Sequence, residues 1–199
     1  YGHYCASITG FCCCNSFMRV LGLLVCCVGC NGITGFIRLA MTINNDPTMT
    51  ISIRKALDRD LPDIERITAN AYHKYIAIMG QKPAPMVADY SAHLTNDMVF
   101  VAEDIGPQSV VGYAIITIKD CHYWLETIAV DPPASGRGIG SQLIAFVEGY
   151  IATRASDYQL YTNVKMTENI NWYQRIGFQE VKRQIVDGYE RVYFKKALN

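Results

Sequence analysis

The chain has 199 residues, enough to bury a hydrophobic core, and its 18 Lys+Arg balance 18 Asp+Glu. That balance lacks the basic excess of a dedicated nucleic-acid binder, and 50% apolar against 18% charged residues excludes wholesale disorder. The averages conceal two compositions. Residues 1–48 hold three charged groups (Arg19, Arg38, Asp46) and seven of the eight cysteines, whereas residues 49–199 hold the other 33 charges and Cys121 alone.

Residues 1–48 read as a Cys-rich apolar extension. Positions 20–37 are an uncharged run of 18 residues, near the length of a bilayer-crossing helix. Gly22, Gly29, Gly32, Gly35, Asn31 and Thr34 dilute it, so membrane anchoring through 20–37 is the weaker reading. Read from Met18, the same stretch resembles a signal-peptide core. Cys27-x-x-Cys30 has metal-ligand spacing but no second pair, and an odd cysteine count with three in a row does not suit a disulfide framework. The expectation is an upstream extension or mis-set start outside the natural protein, with Met18, Met41 or Met49 as downstream starts.

From residue 49 the pattern becomes that of one α/β domain, 49–199. Alternation predicts a strand over 50–55. Asp60 caps a helix with Pro62 in its first turn, and Ile64, Ile67, Ala71, Tyr75 and Ile78 recur at helical spacing up to Gly80. Past the proline-rich stretch 82–86, a short helix is predicted over 87–94. Strands at 98–102 and 110–118 form a hairpin, and a third at 123–130 ends at Asp131-Pro132-Pro133. A helix follows over 139–152, with Leu143, Ile144, Val147 and Ile151 on its apolar side. Then come a strand at 158–162, a helix over 168–176 stopped by Gly177, and a hairpin of 178–186 with 189–195 across Asp187-Gly188. The order β-α-α-β-β-β-α-β-α-β-β is that of an α/β (α+β) domain, a mixed sheet flanked by helices.

The segment Val130-Asp-Pro-Pro-Ala-Ser135-Gly136-Arg137-Gly138-Ile139-Gly140-Ser141 runs from a strand through glycines into a helix. Exposed backbone amides and the helix dipole make an anion site suited to a pyrophosphate, with Arg137 as an added cation. A dinucleotide fold asks for G-x-G-x-x-G, and Ser141 stands at the third glycine position. The antiparallel hairpins at both ends also oppose repeated β-α units, so Asp157 at ribose-carboxylate spacing is discounted. A tight strand-to-helix turn without a ligand is the third reading.

These residues resemble the acetyl-CoA-binding motif of the GNAT acetyltransferase superfamily, R/Q-x-x-G-x-G/A after a strand ending V-x-P. Val130-Asp131-Pro132 matches the strand end and Gly138-x-Gly140 the glycines, while Ser135 stands where the family prefers Arg or Gln. Asn169-Ile-Asn-Trp-Tyr173-Gln-Arg-Ile-Gly177-Phe178 is similar to the family's second signature, a helical tyrosine followed by Gly-Phe. The resemblance covers about 50–198. It implies a mostly antiparallel central sheet and direct acetyl transfer from acetyl-CoA, without metal, to an amine in a ternary complex. The cofactor contacts it implies are Ile128, Val130, Ser135, Gly136, Arg137, Gly138, Ile139, Gly140, Ser141 and Asn169. Tyr173 is the implied general acid for the departing thiolate, its other reading being a core tyrosine.

A primary amine is almost wholly ammonium at neutral pH, so transfer needs a base. Glu126 interrupts an apolar strand, and a raised pKa there would suit a base; some polyamine acetyltransferases of the family place theirs at this position. Its other reading is a strand carboxylate paired with a cation. Cys121, His122 and His73 read as structural. The family varies its acceptor pocket in the region of Tyr72, Tyr75, Met79, Pro83, Pro85, Met86 and Tyr90, each of which reads equally as core. The expected acceptor is a small-molecule or peptide amine, with neither nucleic acid nor membrane as partner, in the cytoplasm, where a single cysteine suits reducing conditions. Homodimers are common in the family. The alternative function is a non-catalytic acyl-CoA-binding or regulatory module.

Overall fold

In the computed structural model residues 50–198 are described. The Cys27/Cys30 pair, the 20–37 run and the division at residue 48 lie outside them. Eleven principal elements follow one another: β1 (Ile51–Lys55), α1 (Leu61–Met79), α2 (Tyr90–Asn96), β2 (Met98–Asp104), β3 (Ser109–Lys119), β4 (His122–Val130), α3 (Ile139–Ala152), β5 (Asp157–Asn163), α4 (Thr167–Arg175), β6 (Gln179–Val186) and β7 (Tyr189–Ala197). The strands make one sheet in the order β1-β2-β3-β4-β5-β7-β6, antiparallel throughout except between β4 and β5. This is the expected mixed, mostly antiparallel sheet flanked by helices.

Side chains of β3 feed two cores, one on each face of the sheet. Tyr113 and Ile115 join Ile64, Ile67, Tyr72 and Tyr90 beneath α1 and α2. Ala114 and Ile116 join Leu143, Val147 and Ile151 of α3 with Ile170 and Tyr173 of α4. The period-two alternation of a strand buried on both faces dictates that division. The final hairpin turns at Asp187 (φ 52°) and Gly188 (φ 76°), the left-handed pair that a two-residue connection needs.

Three local expectations are corrected. Asp60 does not cap α1: its carboxylate takes Arg54 Nη1 at 2.7 Å and Nη2 at 2.9 Å, and the Leu57 amide at 2.8 Å. A bidentate guanidinium satisfies the carboxylate better than one helix amide, and it ties β1 to the start of α1. The buried stripe of α1 runs through Thr68 and Tyr72, while Ile78 is 52% exposed. The second helix begins late, because Asp89 caps α2 by accepting from the Ala92 amide at 3.0 Å, leaving Ala84–Val87 as a separate 3₁₀ turn.

Candidate active site

β4 and β5 pair only at Trp124↔Gln159 and Leu125↔Leu160, and beyond Leu125 they part. The Asp131 amide donates to Val111 O at 2.8 Å, so the odd residues near the end of β4 turn their backbone toward β3. By alternation, Ile128 and Val130 turn theirs to the other edge, where no strand answers them. Tyr72 reaches that edge from α1, its hydroxyl donating to Ile128 O at 3.3 Å. A cavity opens at the parting, lined by residues of β4 and β5 together with residues of α1 and α4.

Glu126 lines this cavity at the point of divergence. Tyr161 donates to its Oε1 at 2.7 Å and Lys119 Nζ to its Oε2 at 2.6 Å. Burial pushes its pKa up, but the two hydrogen bonds and the Lys119 charge outweigh burial and hold the carboxyl below its usual range. The raised pKa expected of a carboxylate among apolar neighbours is therefore absent, because a cation and a phenol serve its charged form.

Tyr173 lines the same cavity from α4 and is 6% exposed. Its ring packs on Trp172, Phe178 and Phe194, and its hydroxyl makes no hydrogen bond with any described residue. Burial raises its pKa well above the usual phenol value, with Tyr75 adding to the effect, so the hydroxyl holds its proton. Asn169 also lines the cavity, its amide 3.7 Å from Met166 Sδ.

Past β4, Asp131 is pinned by Arg66, with Asn70 Nδ2 on its other oxygen at 3.2 Å. From that anchor the chain runs through a 3₁₀ turn, Pro132–Ala134, to Gly138 at the N-terminus of α3. The first helical bond is Gln142 N–H to Gly138 O at 3.0 Å, and the amides of residues 136–141 find no acceptor among the described residues. Gly136 (φ 79°) and Gly138 (φ 77°) are left-handed, a conformation costly to other residues. Ser135 turns its hydroxyl back to Asp131 O at 3.4 Å, and Arg137 is exposed beside the amides. The residue types fit a pyrophosphate: a row of free N–H groups, a helix dipole and one mobile cation.

Of the seven acceptor-side residues expected from sequence, Tyr72, Met79 and Pro85 line the cavity. The others do not. Tyr90 is core, its hydroxyl bound to Pro85 O at 2.8 Å and to the Tyr113 hydroxyl at 3.0 Å. Tyr75 is 6% exposed and Pro83 is buried, while Met86 faces a separate depression with Glu65 and Tyr90. Sequence reasoning missed His93, Tyr161, Tyr189 and Arg191. His93 Nδ1 lies 2.7 Å from Oδ2 of Asp97, four residues on and just past the end of α2, and that spacing was a visible signal. Tyr161 and Arg191 had none, since their relation to Glu126 depends on strand order.

Among the described residues, no group of three or more His, Cys, Asp or Glu could hold a metal ion, and no helix is long and apolar enough to cross a membrane. Residues 95–180 match the acetyltransferase (GNAT) domain family. No curated protein sequence matches the chain. Among solved structures, the chain is similar to the ribosomal-protein-alanine N-acetyltransferase of Escherichia coli, at 18% identity and TM-score 0.60 over 75% of this chain and 94% of that one. It is similar to the PaiA N-acetyltransferase of Thermoplasma acidophilum, solved with coenzyme A, at 17% identity and TM-score 0.62 over 75% and 99%. A spermidine N-acetyltransferase chimera from Vibrio cholerae gives 20% identity and TM-score 0.57 over 74% and 95%. At these identities the likeness is one of fold.

Proposed function

We propose that this chain, whose residues 95–180 match the acetyltransferase (GNAT) domain family, moves acetyl from acetyl-CoA to a primary amine by direct transfer in a ternary complex. The observation that carries this reading is the parting of β4 from β5. It leaves the outward backbone of Ile128 and Val130 without a strand partner, in a cavity lined by Glu126 and by the unbonded Tyr173 hydroxyl.

Acetyl-CoA supplies an activated acyl group, and the residues do the rest. The amides of residues 136–141 hold the pyrophosphate, with Arg137 alongside. The outward amides of Ile128 and Val130 align the pantetheine arm as a further strand would and polarise the thioester carbonyl, with Asn169 at the arm's side. Glu126, ionised, attracts the acceptor ammonium, takes its proton and passes it to solvent. Tyr173 gives its own proton to the departing sulfur and regains one that the acylated nitrogen sheds, so the buried phenol returns to its neutral form. Fold relatives act, by their names, on a protein alanine and on spermidine, so both peptide and small-molecule amines suit the class. Among the described residues the single cysteine, Cys121, is an exposed free thiol, which suits a reducing cytoplasm.

The test is acetyl-CoA-dependent thiol release over a panel of amine classes, with Tyr173→Phe alongside. Release with some amine, falling sharply in the variant while CoA affinity persists, is expected. CoA binding without release across the panel overturns the enzymatic reading in favour of a binding module.

A further inference from the structure

Arg191 of β7 lines the acceptor side of the cavity, and we propose that it receives a carboxylate on the acceptor, which makes the substrate an amino-acid-like amine and not a polyamine. The inference rests on the reading above, that an amine is acetylated at Glu126.

Its position follows from the sheet. Asn163 pairs with Arg191 and Tyr161 with Tyr193, so Arg191 is the diagonal neighbour of Tyr161 on one face. Its Cζ stands 4.5 Å from the Tyr161 ring centre and 5.9 Å from that of Tyr189. Both phenols are anchored: Tyr161 donates to Glu126, and Tyr189 donates to Lys82 O at 2.9 Å. Two fixed rings thus hold the guanidinium in place before any ligand arrives.

What it lacks is an acceptor. The side chain is 15% exposed, yet it donates no hydrogen bond to any described residue. Its one ion-pair partner is Asp187, 3.8 Å away and 81% exposed in the hairpin turn. Arg54, Arg66, Arg154 and Arg183 each bind a carboxylate or carbonyl, and Arg59, Arg137 and Arg175 are exposed. Arg191 alone among the described arginines is mostly covered yet makes no hydrogen bond to a described residue, its nitrogens keeping contact with solvent at the cavity. A planar fork of that kind matches a carboxylate.

The cavity's charges select between acceptor classes. Glu126 attracts one ammonium, and its charge is already shared with Lys119. The second ammonium of a polyamine would meet Arg191 with no further carboxylate among the lining residues. A carboxylate there satisfies Arg191 while the amine stands at Glu126, one tyrosine ring away.

Isothermal titration calorimetry on the full chain with CoA bound tests this. The ligands are straight-chain ω-amino acids with two to five methylenes, their carboxamides and 1,4-diaminobutane. The best amino acid should bind about 30-fold more tightly than its carboxamide, as for a charge-assisted pair. Arg191→Gln should abolish that difference, Arg191→Lys should restore part of it, and CoA affinity should stay unchanged. Equal binding of carboxylate and carboxamide by the wild type, absence of binding by either, preference for the diamine, or a preference that survives in Arg191→Gln overturns the proposal. Acetylation assayed on the same ligands separates the two readings. Carboxylate-selective binding without acetylation overturns acetyl transfer and leaves the subsite standing, whereas acetylation indifferent to the carboxylate overturns the subsite alone.

Discussion

The Tyr161 hydroxyl donates to Glu126 Oε1 at 2.7 Å across the point where β4 and β5 part, while Lys119 takes the other oxygen at 2.6 Å. The pair joins the widening of the sheet to the ionisation of its one cavity-lining carboxylate. Both donors favour the charged form, so Glu126 stays ionised below the ordinary carboxylate range despite its burial.

Glu126→Gln should lower kcat by about 100-fold, the scale of a lost acid–base group, with the dissociation constant for CoA unchanged. Tyr161→Phe keeps the ring but removes one donor to the carboxylate. The Glu126 pKa should then rise, moving any acid limb of kcat/KM that belongs to Glu126 to higher pH. A folded pKa depressed below the unfolded value contributes stability above about pH 4.3, lost as pH falls through the folded pKa. Thermal melts from pH 3 to 7 should therefore show a shallower acid-side loss for Glu126→Gln than for the wild type. Parallel curves would mean that the Lys119 pair contributes nothing to stability.

Tyr173 titrates in the other direction. Burial raises its pKa, so it keeps its proton below pH 10 and beyond. kcat/KM should climb with pH as the acceptor loses its proton, with no basic limb from Tyr173 up to about pH 10. Tyr173→Phe should lower kcat by about 100-fold or more across that range. A wild-type basic limb near pH 8 that vanishes in Tyr173→Phe would show that the phenol ionises early and would remove it as the proton donor.

Local rules made much of this architecture legible. Helical spacing located α3 at its observed bounds, Gly177 marked the end of α4, and Asp187-Gly188 marked the last hairpin. Relations across long sequence separations were not legible. A cation beside Glu126 was one of its two readings, but the partners themselves were not legible, since Tyr161 comes to it only through the β4–β5 pairing and Lys119 only through the β3–β4 hairpin. Tyr90 looked like an acceptor residue because it lies in the region where the family varies its acceptor pocket, but Tyr113 of β3 takes its hydroxyl into the core. Arg191 carried no sequence signal at all. A lone arginine in a strand is commonplace, and only the absence of an acceptor around it in three dimensions sets it apart.

The glycines of the α3 loop differ in what they need. Gly138 has φ 77°, so Gly138→Ala should cost about 1 kcal/mol by forcing a Cβ into left-handed backbone, although nothing lies within 4 Å of that Cβ. Gly140 sits in the first turn of α3, and an added Cβ would meet Trp172 at an ordinary 3.5 Å. Gly140→Ala should therefore leave the melting temperature unchanged or slightly higher. If Gly140 is there for close approach of a phosphate, the same variant should weaken CoA binding about tenfold, a loss of ~1.4 kcal/mol. Calorimetry with CoA on both variants separates the roles. Unaltered CoA affinity in Gly140→Ala would take Gly140 out of the phosphate cradle.

Asp131 ends β4 and begins the cofactor loop, and its partners lie on another element. Arg66 and Asn70 of α1 hold its two oxygens, and Arg66 also reaches Val110 O at 3.1 Å and Asp63 at 2.9 Å. The carboxylate side chain is 12% exposed but the arginine is 42% exposed, so water screens part of the attraction. Asp131→Asn keeps the shape and removes the charge. It should cost about 1–2 kcal/mol, or roughly 3–6 °C in melting temperature for a domain of this size. Because the anchor fixes where the strand delivers the loop and not the reacting atoms, KM for acetyl-CoA should rise while kcat at saturation stays within about twofold. A variant with lower kcat and unchanged KM would place Asp131 in the chemistry instead of the scaffold. Unchanged melting temperature and KM together would mean that the loop needs no anchor on α1.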